Sequence, residues 1–144
     1  MATPMASSQQ MSMHEFNRRM LAVPASVGLA RDVTEVHLNK WGLAHLARDA
    51  LLVVSELLTN AVNAAAGQEI GLTVFVLPTV LVIEVSDPAK AAPLKQQPDL
   101  EAENGRRLLI VEACSESWGI RSPTDREKTV WALLRIGYRG ADRS

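Results

Sequence analysis

One apolar stripe constrains this chain more than any other feature: Leu43, Ala47, Ala50, Val54, Leu57, Leu58, Ala61 and Ala65 recur at helical spacing. Residues three and four apart share a helix face, so the stripe predicts a long helix starting near Leu43 and closed by Gly67. Its apolar arc is wide, and Leu57, Leu58 and Val62 crowd the same turns, which leaves few positions on it for water.

The segments around this helix sort by period. Glu15 to Leu21 reads as a strand with Phe16, Arg18 and Met20 on one face. Pro24 suits the first turn of a helix whose apolar positions are Leu29, Val33 and Val36, with Trp41 near its end and Gly42 as its stop. Ile70 to Leu77 and Val80 to Ser86 read as an antiparallel hairpin about Pro78 and Thr79, and Ser86-Asp87-Pro88 ends its second strand. Pro88 to Asn104 has three prolines and no regular period, and a long irregular connection of this kind is often a functional lid. Gly105 to Cys114 reads as a short helix that buries Leu108, Leu109 and Val111. Two more strands, Trp118 to Arg121 and Thr129 to Ile136, are joined by a polar turn through Pro123, Thr124 and Asp125.

Helices and hairpins are thus grouped rather than strictly alternating. The expected fold is an α+β, two-layer α/β sandwich, with helices covering one face of a mixed, mostly antiparallel sheet. A single domain over 14–137 is expected, between a Ser-, Gln- and Met-rich tail at 1–13, expected to be disordered, and a C-terminal tail at 138–144.

With 15 basic and 16 acidic residues the formal charge is −1, which gives no nonspecific attraction to nucleic acid or to an anionic membrane. The one cysteine, Cys114, allows no internal disulfide and no cysteine-rich zinc site, and on its helix it reads as a small hydrophobe. His14, His37 and His45 show no metal-ligand spacing. The N-terminus lacks the apolar core of a signal peptide, and no run approaches the ~18 apolar residues of a membrane span. A soluble, cytoplasmic protein is expected.

Opposite the stripe, Glu56, Asn60 and Asn63 fall at i, i+4 and i+7 and share a helix face. Spacing alone is met equally by the solvated side of any amphipathic helix. The chemistry available is more specific. A carboxylate and an amide oxygen one turn apart can hold a hydrated Mg²⁺, and the carboxylate can take a proton from an attacking hydroxyl. Both roles need a phosphate-bearing substrate.

Ser55-Glu56-Leu57-Leu58-Thr59-Asn60-Ala61 resembles the helix motif of the Bergerat, or histidine-kinase-like, ATPase superfamily. The nearest resemblance is to the small anti-sigma-factor serine/threonine kinases and their actinobacterial relatives, over roughly Met20 to Ile136. Three further landmarks follow in order. Val82-Ile83-Glu84-Val85-Ser86-Asp87-Pro88 is similar to the strand that ends in the adenine-reading aspartate. Asn104-Gly105-Arg106-Arg107-Leu108-Leu109-Ile110-Val111 resembles the glycine-containing lid leading into a helix whose N-terminus faces phosphate. Lys128-Thr129-Val130-Trp131 looks like the last-strand motif in which a threonine supports that aspartate.

The resemblance implies ATP and Mg²⁺ as cofactors, Glu56 as general base, Asn60 as the Mg²⁺ ligand and Asp87 as the adenine reader. It also implies a nucleotide site that takes in Asn63, Gly105, Arg106, Arg107, Leu108 and Thr129. The implied activity is phosphorylation of a serine on an anti-anti-sigma factor, together with or replaced by sequestration of a sigma factor, in the regulation of transcription. A homodimer is compatible with it; direct nucleic-acid and membrane contacts are not implied.

The sequence departs from the family pattern at several points. Pro88 to Ala92 lacks the glycines usual after the aspartate, Ala64 replaces a common histidine, and Glu127 stands where a glycine often precedes the Lys-Thr pair. Arg107 takes the place of the second lid glycine, which removes access to positive φ and offers a guanidinium able to pair with phosphate. The alternative these changes motivate is a non-catalytic interaction module with a degenerate nucleotide site.

Overall fold

The structure is a computed structural model that describes residues 14–88 and 103–137. The tails at 1–13 and 138–144, and nearly all of the irregular connection before Asn104, lie outside the described residues. The order is β1 (Glu15–Leu21), α1 (Pro24–Lys40), a single 3₁₀ turn (Ala44–Leu46), α2 (Ala47–Ala64), β2 (Glu69–Val76), β3 (Val80–Asp87), α3 (Glu103–Cys114), β4 (Ser117–Thr124) and β5 (Glu127–Arg135). The strands form one five-stranded sheet in the order β1-β2-β3-β5-β4, under a layer of helices. The two-layer α+β sandwich is therefore as expected. All four strand pairings are antiparallel, so the described sheet contains no parallel pair.

Register and pleat decide which residues meet the helices. Residues directly opposite in a ladder share a face, and successive residues alternate. Leu81, Ile83 and Val85 of β3 pair with Leu134, Ala132 and Val130 of β5, and with Ile70, Leu72 and Val74 of the neighbouring strand they form the floor of the core. Asp87 has the same parity and ends that row. Phe75, Val82 and Trp131 are also buried but stand on the other face, outside the main core cluster. There the Trp131 ring lies against Gly119, where a Cβ would come within 2.5 Å of it.

The long central helix matches the stripe closely. Ala50, Val53, Val54, Leu57, Leu58, Ala61 and Val62 are buried, and α2 packs against β3 beneath it and against α1 and α3 on its flanks. The start differs from expectation: Leu43 to Leu46 make a tight turn, and the α-helix proper begins at Ala47. Gly42 closes α1 with φ +76°, where the amides of Gly42 and Leu43 donate to Asn39 O and Leu38 O at 3.2 and 2.8 Å. Gly67, with φ +80°, turns the chain out of α2 and donates to Ala22 O, which ties the end of β1 to the start of β2.

Helix α1 buries a different face from the one its sequence suggests. Leu29 and Val36 are 65% and 55% exposed, while Ser26, Ala30, Thr34 and Leu38 face inward. These side chains are mostly small, and the two hydroxyls carry their own acceptors: Ser26 Oγ donates to Leu21 O at 2.7 Å, and Thr34 Oγ1 to Ala30 O at 2.8 Å. A polar residue satisfied by its own backbone is cheap to bury, and a small one lets helices approach closely. At the far end of α1, His37 stacks on Phe16 with ring centroids 4.4 Å apart and lies 5.4 Å from Trp41, which pins the helix to β1. Helix α3 also departs from expectation. It starts two residues early, at Glu103, and although Val111 is buried and Leu108 half-buried, Leu109 is 64% exposed.

On the sheet's outer face, Arg121 Nη1 donates to Glu84 Oε2 at 3.3 Å. Burial pushes the Glu84 carboxyl above its ordinary range, and Arg121 opposes that rise. A raised carboxyl binds more protons folded than unfolded between its two pKa values, so stability falls as pH rises through that window. Arg121→Met removes the opposing charge. We expect chemical denaturation to show a loss of about 1–3 kcal/mol near pH 8 that shrinks as the pH falls and the carboxyl takes up its proton. Gly42→Ala meets no steric neighbour, so its cost is backbone strain alone, about 1 kcal/mol in the same assay. Half-buried Cys114 has its thiol pushed up, first by burial and then by the charge and hydrogen bonding of Asp49. Alkylation of Cys114 at neutral pH is expected to be slow and to accelerate in Asp49→Asn.

Candidate functional site

The side of α2 that faces α3 carries Asp49, Glu56 and Asn60. Arg107 Nε of α3 lies 3.8 Å from Glu56 Oε1, and Cys114 at the end of α3 meets Asp49. Going from Arg107 to Cys114 along α3 therefore means going from Glu56 back to Asp49 along α2. Both steps are seven residues in opposite senses, so the two helices run antiparallel in contact. Continuing that register by one turn puts Asn60 beside the first turn of α3. The amides of a helix's first turn have no intrahelical acceptor and carry the positive end of its dipole.

Asn60 Oδ1 is buried and has no hydrogen-bond partner. A buried orphan acceptor is costly, and such atoms in folded proteins commonly mark a ligand or ion. An amide oxygen is a ligand type suited to Mg²⁺, which keeps most of its waters and takes few protein ligands alongside substrate phosphates. Among the described residues no group of three or more His, Cys, Asp or Glu side chains is placed to hold a metal. The residues present thus fit a cation shared with a phosphate ligand rather than an all-protein cage. Asn63 does not join this set: it is exposed, one turn beyond.

The remaining residues named from sequence are placed as follows. Gly105 is the third residue of α3, inside the helix, and among the described residues positive φ occurs only at Gly42 and Gly67. Gly105 therefore contributes a first-turn amide and makes no use of glycine's conformational freedom. Arg106 is exposed, and Leu108 packs against the core and sets the roll of α3 about its axis. Asp87 is buried at the end of β3 on the helix-covered face, with Lys128 Nζ 3.9 Å from its Oδ2. Thr129 is buried too, but its ladder partner is Ser86, so by strand alternation it sits on the opposite face from Asp87. The residue across the ladder from Asp87 is Lys128. Sequence reasoning passed over Lys128 in favour of its neighbour, although the parity of β3 and β5 carries the signal.

Two sets of groups are therefore assembled, one in the seam between α2 and α3 and one on the sheet beneath the helices. One is a carboxylate, an unpartnered amide oxygen and a helix N-terminus in a row; the other is a buried carboxylate at a strand end. A family model for the histidine kinase-like ATPase domain matches residues 20–134. No curated protein matches the chain. The matched span runs from the end of β1 almost to the end of β5 and takes in Glu56, Asn60, Asp87 and all of α3, so the chain belongs to the histidine kinase-like ATPase domain family, whose members bind ATP.

Proposed function

We propose that this ATPase domain acts as a protein serine/threonine kinase of the anti-sigma-factor type, phosphorylating a serine of an anti-anti-sigma partner and sequestering a sigma factor. The observation that carries the reading is the buried, unpartnered Asn60 Oδ1, one helical turn from Glu56 and beside the start of α3. Asn60 would hold Mg²⁺, which supplies neutralisation of phosphate charge. The first-turn amides of α3 receive phosphate oxygens. Asp87 accepts a hydrogen bond from the exocyclic amine of adenine, at the ring position where guanine carries a carbonyl. Lys128 holds the other side of that carboxylate.

Glu56 accepts the proton of the partner's serine hydroxyl. The bond from the serine oxygen to the terminal phosphorus forms as the bond from that phosphorus to the bridging oxygen breaks, and ADP leaves. Positioning and charge neutralisation supply most of the catalysis in such transfers. A second reading, a non-catalytic interaction module, draws on two observations: Arg107 sits on the proposed base, and α1 turns Leu29 and Val36 outward.

Titration calorimetry with ATP and Mg²⁺ separates the two readings. The kinase reading expects binding in the micromolar range, about −8 kcal/mol, lost in Asp87→Asn. Wild-type protein that takes up no heat with ATP would instead favour the interaction module. Glu56→Ala is expected to retain nucleotide and to slow phosphoryl transfer to the partner serine by about a hundredfold or more. Transfer that survives this change assigns the base elsewhere.

A further inference from the structure

The ion pair between Glu56 and Arg107 joins the proposed base to the helix whose N-terminus faces phosphate. Both side chains are about four-fifths buried, at 20% and 19% exposed, so solvent screens the pair weakly. At 3.8 Å the contact is longer than a hydrogen bond. It holds two opposite charges together without the short, directional bonds that a guanidinium makes with a carboxylate or phosphate in ideal geometry. Arg107 lies about one turn into α3, on the side turned to α2, and Asn60 is one turn from Glu56 toward the start of α3. The guanidinium thus stands beside the carboxylate, about one helical turn from Asn60 and the start of α3, where a nucleotide's terminal phosphate would lie.

We propose that Arg107 is a latch that Glu56 and the terminal phosphate of the nucleotide compete for. This rests on the ATP-binding reading above and adds a regulation to that site. In the empty protein Arg107 holds Glu56, and the carboxylate oxygen turned toward it is not open to an incoming hydroxyl. When a triphosphate is bound, its terminal phosphate carries more charge than the carboxylate and offers oxygens spaced for two parallel N–H donors. Arg107 moves to the phosphate, and Glu56 is released to face the serine hydroxyl. The base is therefore ready only when the phosphoryl group to be transferred is present. A nucleotide without the terminal phosphate leaves the latch on Glu56.

The test is a double-mutant cycle on the full chain: calorimetric titration of ATP with Mg²⁺, and of AMP, into wild type, Glu56→Gln, Arg107→Met and the double variant. Arg107→Met is expected to weaken ATP about tenfold and to leave AMP within about twofold, and the AMP isotherm also reports that the variant is folded. Glu56→Gln removes the competitor, so ATP is expected to tighten by about threefold to tenfold when Arg107 is present and not at all in the Arg107→Met background. Arg107→Lys keeps the charge without the fork and is expected to fall between wild type and Arg107→Met. The latch is overturned if Glu56→Gln changes ATP affinity equally in both backgrounds, or if Arg107→Met weakens ATP and AMP alike. A wild type that binds neither nucleotide overturns the ATP-site reading together with the latch. A wild type that binds ATP with no coupling between the two positions overturns the latch alone.

Discussion

Everything in this fold is arranged around the width of the apolar arc on α2. Seven of its residues are buried, and they point in directions no single neighbour can cover. The sheet takes the centre of the arc, α1 one flank and α3 the other. What remains is a narrow strip along the seam with α3, and Asp49, Glu56 and Asn60 lie on it. Polar groups in such a seam are only partly hydrated, so each needs a partner from the opposing element or from a ligand. The same hydrophobic requirement that fixes the packing of the helices thus places the polar groups where a phosphate-bearing molecule can meet them.

The partners found for these groups separate structure from function. Glu56 faces Arg107, Asp87 faces Lys128, and on the outer side of the sheet Glu84 faces Arg121. Each of these three carboxylates is countered by a cation from a different element. Such pairs stabilise little on balance but are expensive to break on one side. Asn60 Oδ1 has no such counterpart. Within a site so fully compensated elsewhere, that one omission says more about a ligand than any of the charges do.

Much of this was legible in the sequence, and the failures have physical causes. The hairpin of β2 and β3 and the stripe of α2 were readable because burial on one face imposes a strict period. Helix α1 was read on the wrong face because Leu29 and Val36 look like core, whereas Ser26 and Thr34 do not. Burial went to the small residues, whose hydroxyls bond back to the chain, and hydropathy does not register that self-satisfaction. Leu109 misled for a related reason: α3 needs only a narrow stripe, centred on Val111, to cover the flank of α2. At the site, Glu56, Asn60 and Asp87 were singled out by motif order, and the structure sets Glu56 and Asn60 one turn apart along the seam with α3 and Asp87 at the buried end of β3. Thr129 was preferred to Lys128 because a motif match ignores which way a strand's side chains alternate. The contact between Glu56 and Arg107 joins two helices far apart in the chain, and no local pattern encodes it.

The outer face of the sheet carries one more lesson, in the contact between Trp131 and Gly119. The indole lies so close to the glycine that the smallest side chain there would displace it, and its Nε1 is already buried without a partner. No side chain fits at 119 while the indole stays where it is. A lineage that gained a methyl group at 119 would have to move or shrink the ring at 131 in compensation, so the indole at 131 holds position 119 to glycine. In relatives of this chain that keep the tryptophan, the glycine is expected to be kept with it, which turns a packing contact into a marker of descent.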